Sequence, residues 1–219
     1  TALKLNLKEL TPENRTYISS LSPLPYVDPN SQFAMVHAFF SRDLDDCTEK
    51  YVYDSNAAKS AMKGLHDTGT PLGIIGHTHI PMVAWGLIDC YTGTREMRDP
   101  SSYKNHVLDR VYFHESQFRG DFAPKARKKE MTKIVSFTEI PANLSDEQTD
   151  WQSKIIFNPG SVGQPRNYWP FASYGIITIE KEHTMLALKQ VDYDVERTQA
   201  LMRDKGYPKK LIDRLAEGI

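Results

Sequence analysis

Leu72-Gly73-Ile74-Ile75-Gly76-His77-Thr78-His79-Ile80-Pro81 is the stretch that decides the fold. A short apolar run reads as a buried strand, a glycine ends it, and imidazoles follow at once. The same order occurs upstream, where Phe33-Ala34-Met35-Val36 runs into His37. Between the two runs, Ser55 to Leu65 reads as a helix that stops near Gly64 and Gly69. Strand, helix, strand is a crossover unit. Such units join parallel strands and are nearly always right-handed, so His37 and His77 are expected at the same carboxyl edge of one sheet. Neighbouring strands lie about 5 Å apart, a separation that two imidazoles bridge with one metal ion between them.

Working outward, a first helix is expected over Pro12 to Ser20, with Thr11 as N-cap and proline at its first position. It stops in Ser22-Pro23-Leu24-Pro25, and a strand follows over Gln32 to Val36. After His79 a further strand runs from Met82 to Ile88. From Cys90 to Trp151 the texture changes to mixed polar, aromatic and basic residues, and residues 90–151 read as an insertion within a single domain spanning 1–219. The insertion holds strand-like runs at Arg110 to His114 and Lys133 to Phe137, the basic stretch Lys125 to Lys129, and a helical turn capped at Ser145. The core resumes at Lys154 to Phe157. Tyr174 to Ile179 and Thr184 to Val191 form a hairpin across Lys181-Glu182-His183, and helices over Val195 to Lys205 and Pro208 to Glu217 close the chain, the last ended by Gly218.

Composition narrows the function. The chain has 219 residues, with 27 basic side chains against 28 acidic ones, so no global field draws it to nucleic acid or an anionic membrane. No apolar stretch approaches the length of a membrane span, and Thr1 to Leu10 is not a signal peptide. Cys47 and Cys90 share no framework spacing, which suits a reducing compartment. A cytoplasmic protein without a membrane partner is the expectation.

A single strand-end histidine is most often a hydrogen-bonded structural residue. Three that converge from two strand ends point instead to a metal, and imidazole suits zinc, manganese, iron, nickel and copper. His37, His77 and His79 are therefore the candidate metal ligands. A second signal is Asn158-Pro159-Gly160-Ser161-Val162-Gly163-Gln164-Pro165-Arg166. Its glycines let backbone amides turn inward, while Ser161 and Arg166 offer a hydroxyl donor and a forked cation to phosphate oxygens. Asn158, Ser161 and Arg166 are the candidate substrate-binding residues. Ser161 does not read as a nucleophile, because the place two residues before it is Pro159 rather than glycine.

Together, Gly76-His77-Thr78-His79-Ile80-Pro81, the Val36-His37 step and Asn158 to Asn167 resemble motifs of the calcineurin-like metallophosphoesterase superfamily, in its small bacterial and archaeal members. The tail from Val191 through Gly206-Tyr207-Pro208 to Arg214-Leu215-Ala216 is similar to their closing pattern. The resemblance implies an α/β fold, a four-layer α/β/β/α sandwich of two mixed sheets. It also implies two divalent metal ions (Mn, Zn, Fe or Ni), His37 and His77 on one and His79 on the other. A hydroxide activated by both ions would attack phosphorus in a phosphomonoester or phosphodiester, the substrate being a phosphorylated small molecule or a nucleotide.

Two departures qualify it. Ala38-Phe39-Phe40 stands where the family carries a small glycine-serine turn, and the family's earlier acidic motifs are absent. Gly64-Leu65-His66-Asp67, Lys104-Asn105-His106 and Gly120-Asp121 lack the strand that would have to precede each as a substitute. The expectation is that an N-terminal part carrying those motifs lies outside this sequence; supply by another polypeptide, or an inactive binding or scaffold protein, are the alternatives. Arg119 and Lys125 to Lys129 could reach a nucleotide, and as a charge run they leave nucleic-acid binding open. His106, His114 and His183 read as surface residues, and the catalytic acid and oligomeric state are not legible.

Overall fold

The structure is a computed structural model that describes residues 2–89, 112–113, 130–138, 151–180 and 183–219. Cys90, His106, His114, Arg119, Gly120-Asp121, the basic stretch 125–129 and the helical turn at Ser145 lie outside the described residues.

The chain begins with α1 (Ala2–Glu9), α2 (Pro12–Ser20), β1 (Tyr26–Val27), β2 (Phe33–Met35), α3 (Leu44–Glu49), α4 (Ser55–His66) and β3 (Leu72–Ile74). It continues through β4 (Met82–Asp89), β5 (Tyr112–Phe113), β6 (Glu130–Thr138), β7 (Trp151–Asn158), β8 (Ala172–Ile179) and β9 (His183–Val191) to the closing helices α5 (Val195–Asp204) and α6 (Lys209–Glu217). Six strands form one mixed sheet in the order β1-β2-β3-β7-β4-β5, and three form a second, in the order β6-β9-β8. The crossover through α4 makes β2 and β3 parallel, with Phe33 opposite Leu72 and Met35 opposite Ile74. Parallel pairing continues to β7, while β4 runs antiparallel to β7 over eight positions.

The period-2 alternation of strands sorts side chains between the two faces of the first sheet. Ala34, Met82, Ala84 and Ile156 point to one side and pack on Ala58, Ala61, Met62 and Leu65 of α4. Leu72, Val83, Ile155 and Phe157 point to the other and meet Leu186, Ile177 and Ile179 of the second sheet. Of the expected four layers, three thus follow from the core: α4, the mixed sheet and the second sheet. The second sheet was expected to be mixed and is antiparallel in both of its pairings. The reason is connectivity, since β8 and β9 are joined directly and a short connection returns the chain antiparallel.

Two described strands from residues 90–151 pair with these sheets. β5 pairs with β4 at one edge, and β6 pairs with β9 over nine positions, from Glu130 opposite Val191 to Thr138 opposite His183. Three short elements were not expected. In α1, Leu and polar residues alternate as they would in a strand, and the helix buries no residue. α3 starts where Asp43 caps Asp45 N–H at 2.9 Å, and β1 is a two-residue return onto β2.

Ala38-Phe39-Phe40 takes core positions. Phe40 fills the space left by two glycines, so that a Cβ on Gly64 would lie 1.8 Å from its carbonyl oxygen and one on Gly73 2.4 Å from its ring. Ala38-Phe39-Phe40 is thus a packing device, its Phe40 lying against Gly64 of α4 and Gly73 of β3.

Candidate functional site

Parallel pairing of β2 with β3 sends both chains out at the same edge, and the ladder continues past the strands: Val36 N–H donates to Ile74 O at 3.1 Å and Gly76 N–H to His37 O at 2.9 Å. His37 and His77 emerge side by side, their rings edge to face with centroids 4.9 Å apart. Nε2 of His37 lies 3.0 Å from Nδ1 of His77.

The turn that presents His77 is strained. Thr78 N–H donates to Gly76 O at 2.7 Å, closing a three-residue turn around His77, which has φ 63. His79 follows at φ 60. Positive φ is uncommon outside glycine and the left-handed γ-turn is rare, so two such residues in one tripeptide mark a backbone held in place by its surroundings. Asn158 supplies the hold. Fully buried at the end of β7, its amide donates to Gly76 O and to Thr78 Oγ1, each at 2.8 Å, and its Oδ1 accepts from Gly160 N–H at 2.9 Å. Asn158 was expected among the substrate-binding residues; its amide is engaged within the protein, which makes it a brace beneath the histidine loop.

Backbone carbonyls set the tautomers. Nε2 of His77 donates to Glu49 O at 3.1 Å, so its Nδ1 carries a lone pair toward His37. Nδ1 of His79 donates to Gln164 O at 2.7 Å, leaving its Nε2 as the lone-pair nitrogen. One ring nitrogen anchored to a carbonyl and the other presenting a lone pair is the arrangement that metal-binding histidines adopt. Tyr51 stacks on His77 with centroids 4.2 Å apart. Glu49 and Tyr51 carry no sequence signal, because one acts through its carbonyl and the other through a loop whose approach depends on the whole fold.

Both rings favour the neutral form. Burial is the main cause that lowers the pKa of His77, followed by the charge of His37, against the opposing bond to Glu49 O. Burial also leads at His79, and the charges of Arg166, His77 and Arg214 add to it against the bond to Gln164 O.

The loop after β7 closes over this edge. Ser161 Oγ accepts from Gln164 N–H at 2.9 Å and Gly163 N–H at 3.3 Å, and Ser161 N–H donates to Ser173 Oγ at 2.9 Å. Arg166 N–H donates to His79 O at 3.2 Å, and its Nη2 donates to Gln164 Oε1 at 3.3 Å. Its Nε is buried without a partner among the described residues, and Tyr168 beyond it has φ 64.

Two nitrogens about 2.0–2.1 Å from a zinc-sized ion at a tetrahedral angle stand about 3.3 Å apart, and the 3.0 Å pair of His37 and His77 is close to that spacing. Among the described residues no group of three His, Cys, Asp or Glu is placed to hold an ion. The three histidines expected from sequence therefore lie here as a hydrogen-bonded pair, His37 Nε2 donating to His77 Nδ1, with His79 two residues further along the chain; for both nitrogens to hold one ion, His37 would carry its proton on Nδ1 instead.

No protein-family model and no curated protein matches the chain. Among solved structures it is similar to the crystal structure of a metallophosphoesterase from Sphaerobacter thermophilus, at 25% identity and a TM-score of 0.60 over 97% of this chain. The match covers 64% of that protein, so this chain spans less than two thirds of its length.

Proposed function

We propose that this chain forms part of a metal-dependent phosphoesterase site, hydrolysing a phosphomonoester or phosphodiester of a small molecule or nucleotide. The observation that carries the reading is the 3.0 Å contact of His37 with His77 on strained backbone, with the free nitrogen of His77 set by the Glu49 carbonyl. The likeness to a metallophosphoesterase supports the same chemistry.

His37 and His77 would hold one divalent ion and His79 would contribute to a second, with further ligands from outside the described residues. The ions, of manganese, zinc, iron or nickel type, would supply activation of water and neutralisation of charge at phosphorus. The protein's own residues do the positioning. Asn158 holds the Gly76–Thr78 turn, and the carbonyls of Glu49 and Gln164 keep one proton on each ring at a fixed nitrogen. Arg166 directs its guanidinium at phosphate oxygens, and Ser161, whose Oγ orders the loop by accepting two backbone N–H groups, retains its own proton to donate.

Turnover of bis(p-nitrophenyl) phosphate with added Mn or Zn tests this on the full-length gene product. The expected result is metal-dependent hydrolysis that falls at least about 100-fold in His77→Ala, as loss of a group acting on the transition state predicts. Hydrolysis equal in the variant, or insensitive to chelator, would overturn the assignment.

A further inference from the structure

One short segment grips His77 from two directions. The end of α3 supplies the Glu49 carbonyl that accepts from Nε2 at 3.1 Å, and further along the chain the ring of Tyr51 lies against the imidazole, with centroids 4.2 Å apart and planes inclined by 38°. The segment is itself held on both sides of Tyr51. Lys50 is tied back to α3, its Nζ 2.9 Å from Asp46 Oδ2 and 4.2 Å from the centre of the buried Phe39 ring, and Val52 is buried in the core. α3 also holds the chain that leaves the other imidazole, where Ala38 N–H donates to Cys47 O at 3.0 Å. The same element therefore fixes the backbone beside His37 and the ring of His77.

Tyr51 is not a core residue. It is 42% exposed, and its hydroxyl makes no hydrogen bond among the described residues, so neither burial nor a hydrogen bond accounts for where its ring sits. Its contact is with the imidazole. The lone pair of an imidazole nitrogen lies in the plane of the ring, so a bond to an ion depends on how that plane is set. The hydrogen bond from Nε2 to a carbonyl fixes one atom and leaves the ring free to pivot about it; an aromatic face laid against the ring removes the pivot.

We propose that Tyr51 is a positioning residue for His77, its ring setting the imidazole plane so that Nδ1 is held toward His37. This rests on the reading of His77 as a metal ligand for its consequence, and it requires the aromatic face of Tyr51 and not the hydroxyl.

Two measurements on the full chain test it in Tyr51→Leu and Tyr51→Phe. In metal-free protein, NMR follows the exchange with water of the His77 Nε2 proton on Glu49 O and, as internal control, of the His79 Nδ1 proton on Gln164 O. The His77 proton should exchange at least about tenfold faster in Tyr51→Leu and within about twofold of wild type in Tyr51→Phe, with the His79 proton unchanged in both. Zinc affinity, by competition with a chromophoric chelator, should fall at least about tenfold in Tyr51→Leu, as on loss of a contact that orients a ligand, and be restored in Tyr51→Phe. Exchange and affinity unchanged in Tyr51→Leu would overturn the proposal. So would faster exchange of both protons, which marks general loosening, or equal losses in the two variants, which place the effect on the hydroxyl. Proton exchange needs no ion, so a wild-type chain that binds no zinc and still shows the leucine effect at His77 alone loses the metal reading and keeps the positioning role.

Discussion

At the scale of single residues, the site depends on which form each imidazole takes and on what holds the turn between them. His77 and His79 resist protonation in the folded chain, mainly through burial, whereas in the unfolded chain they titrate near the ordinary 6.5. The unfolded state therefore binds protons first as pH falls. The stability these rings contribute is complete above about pH 6.5 and is lost as pH drops through their lower folded values. Urea midpoints of metal-free protein should fall between about pH 7.5 and 5, and the fall should be smaller in His77→Gln/His79→Gln; identical slopes would refute the assignment. Asn158 is the other decisive residue. Asn158→Ala leaves the Gly76 carbonyl and the Gly160 N–H without their partner, a loss of about 2–4 kcal/mol by denaturant unfolding. It should also weaken metal binding about 10- to 100-fold, as loss of a supporting contact does. The placing of His37 beside His77 was legible in the sequence because each follows the end of an apolar run. The part Asn158 plays was not, since a motif shows that an amide is present and not which carbonyl it reaches.

At the scale of elements, the crossover from β2 through α4 to β3 places His37 beside His77, and its packing is tight enough to test. Gly64 lies within α4, where alanine would gain about 1 kcal/mol of helix propensity. Its Cβ would nevertheless meet the Phe40 carbonyl at 1.8 Å, a backbone atom that moves only if the helix moves. Gly64→Ala should therefore lower the thermal midpoint by several degrees and weaken metal binding through displacement of the strand edge; a raised midpoint would show that propensity outweighs the clash. The long elements were readable because each has a local signal. α4 begins where Asp54 accepts from Ala57 N–H at 2.8 Å, α5 where Asp194 accepts from Arg197 N–H at 2.8 Å, and α6 ends at Gly218. α1 was not readable, because its spacing of Leu3, Leu5 and Leu7 is that of a strand and no core contact of its own selects the helix. The place of β6 depends on β9, whose paired residues run from His183 opposite Thr138 to Val191 opposite Glu130, a distant pairing that no local pattern reports.

At the scale of the molecule, two sheets packed face to face with α4 outside present one edge where His37 and His77 stand together and the β7–β8 loop reaches His79 through Arg166 N–H. Among the described residues no helix is long and apolar enough to cross a membrane, and the near balance of charge gives the chain no global field for anions. The parallel crossover was readable in the residues, and the two-sheet architecture was what the family resemblance implied; the strand order came from the structure. The β8–β9 hairpin was readable too, whereas the pairing of β6 on β9 and the seating of α6 on the loop were not, because they arise from long-range contacts. The central claim is that His37 and His77 are ligands to one ion. Zinc binding to the purified chain, measured by competition with a chromophoric chelator, tests it most directly. The account predicts at least one equivalent bound by the wild type and its loss in His77→Ala; equal zinc binding by the two proteins, or none by either, would contradict it.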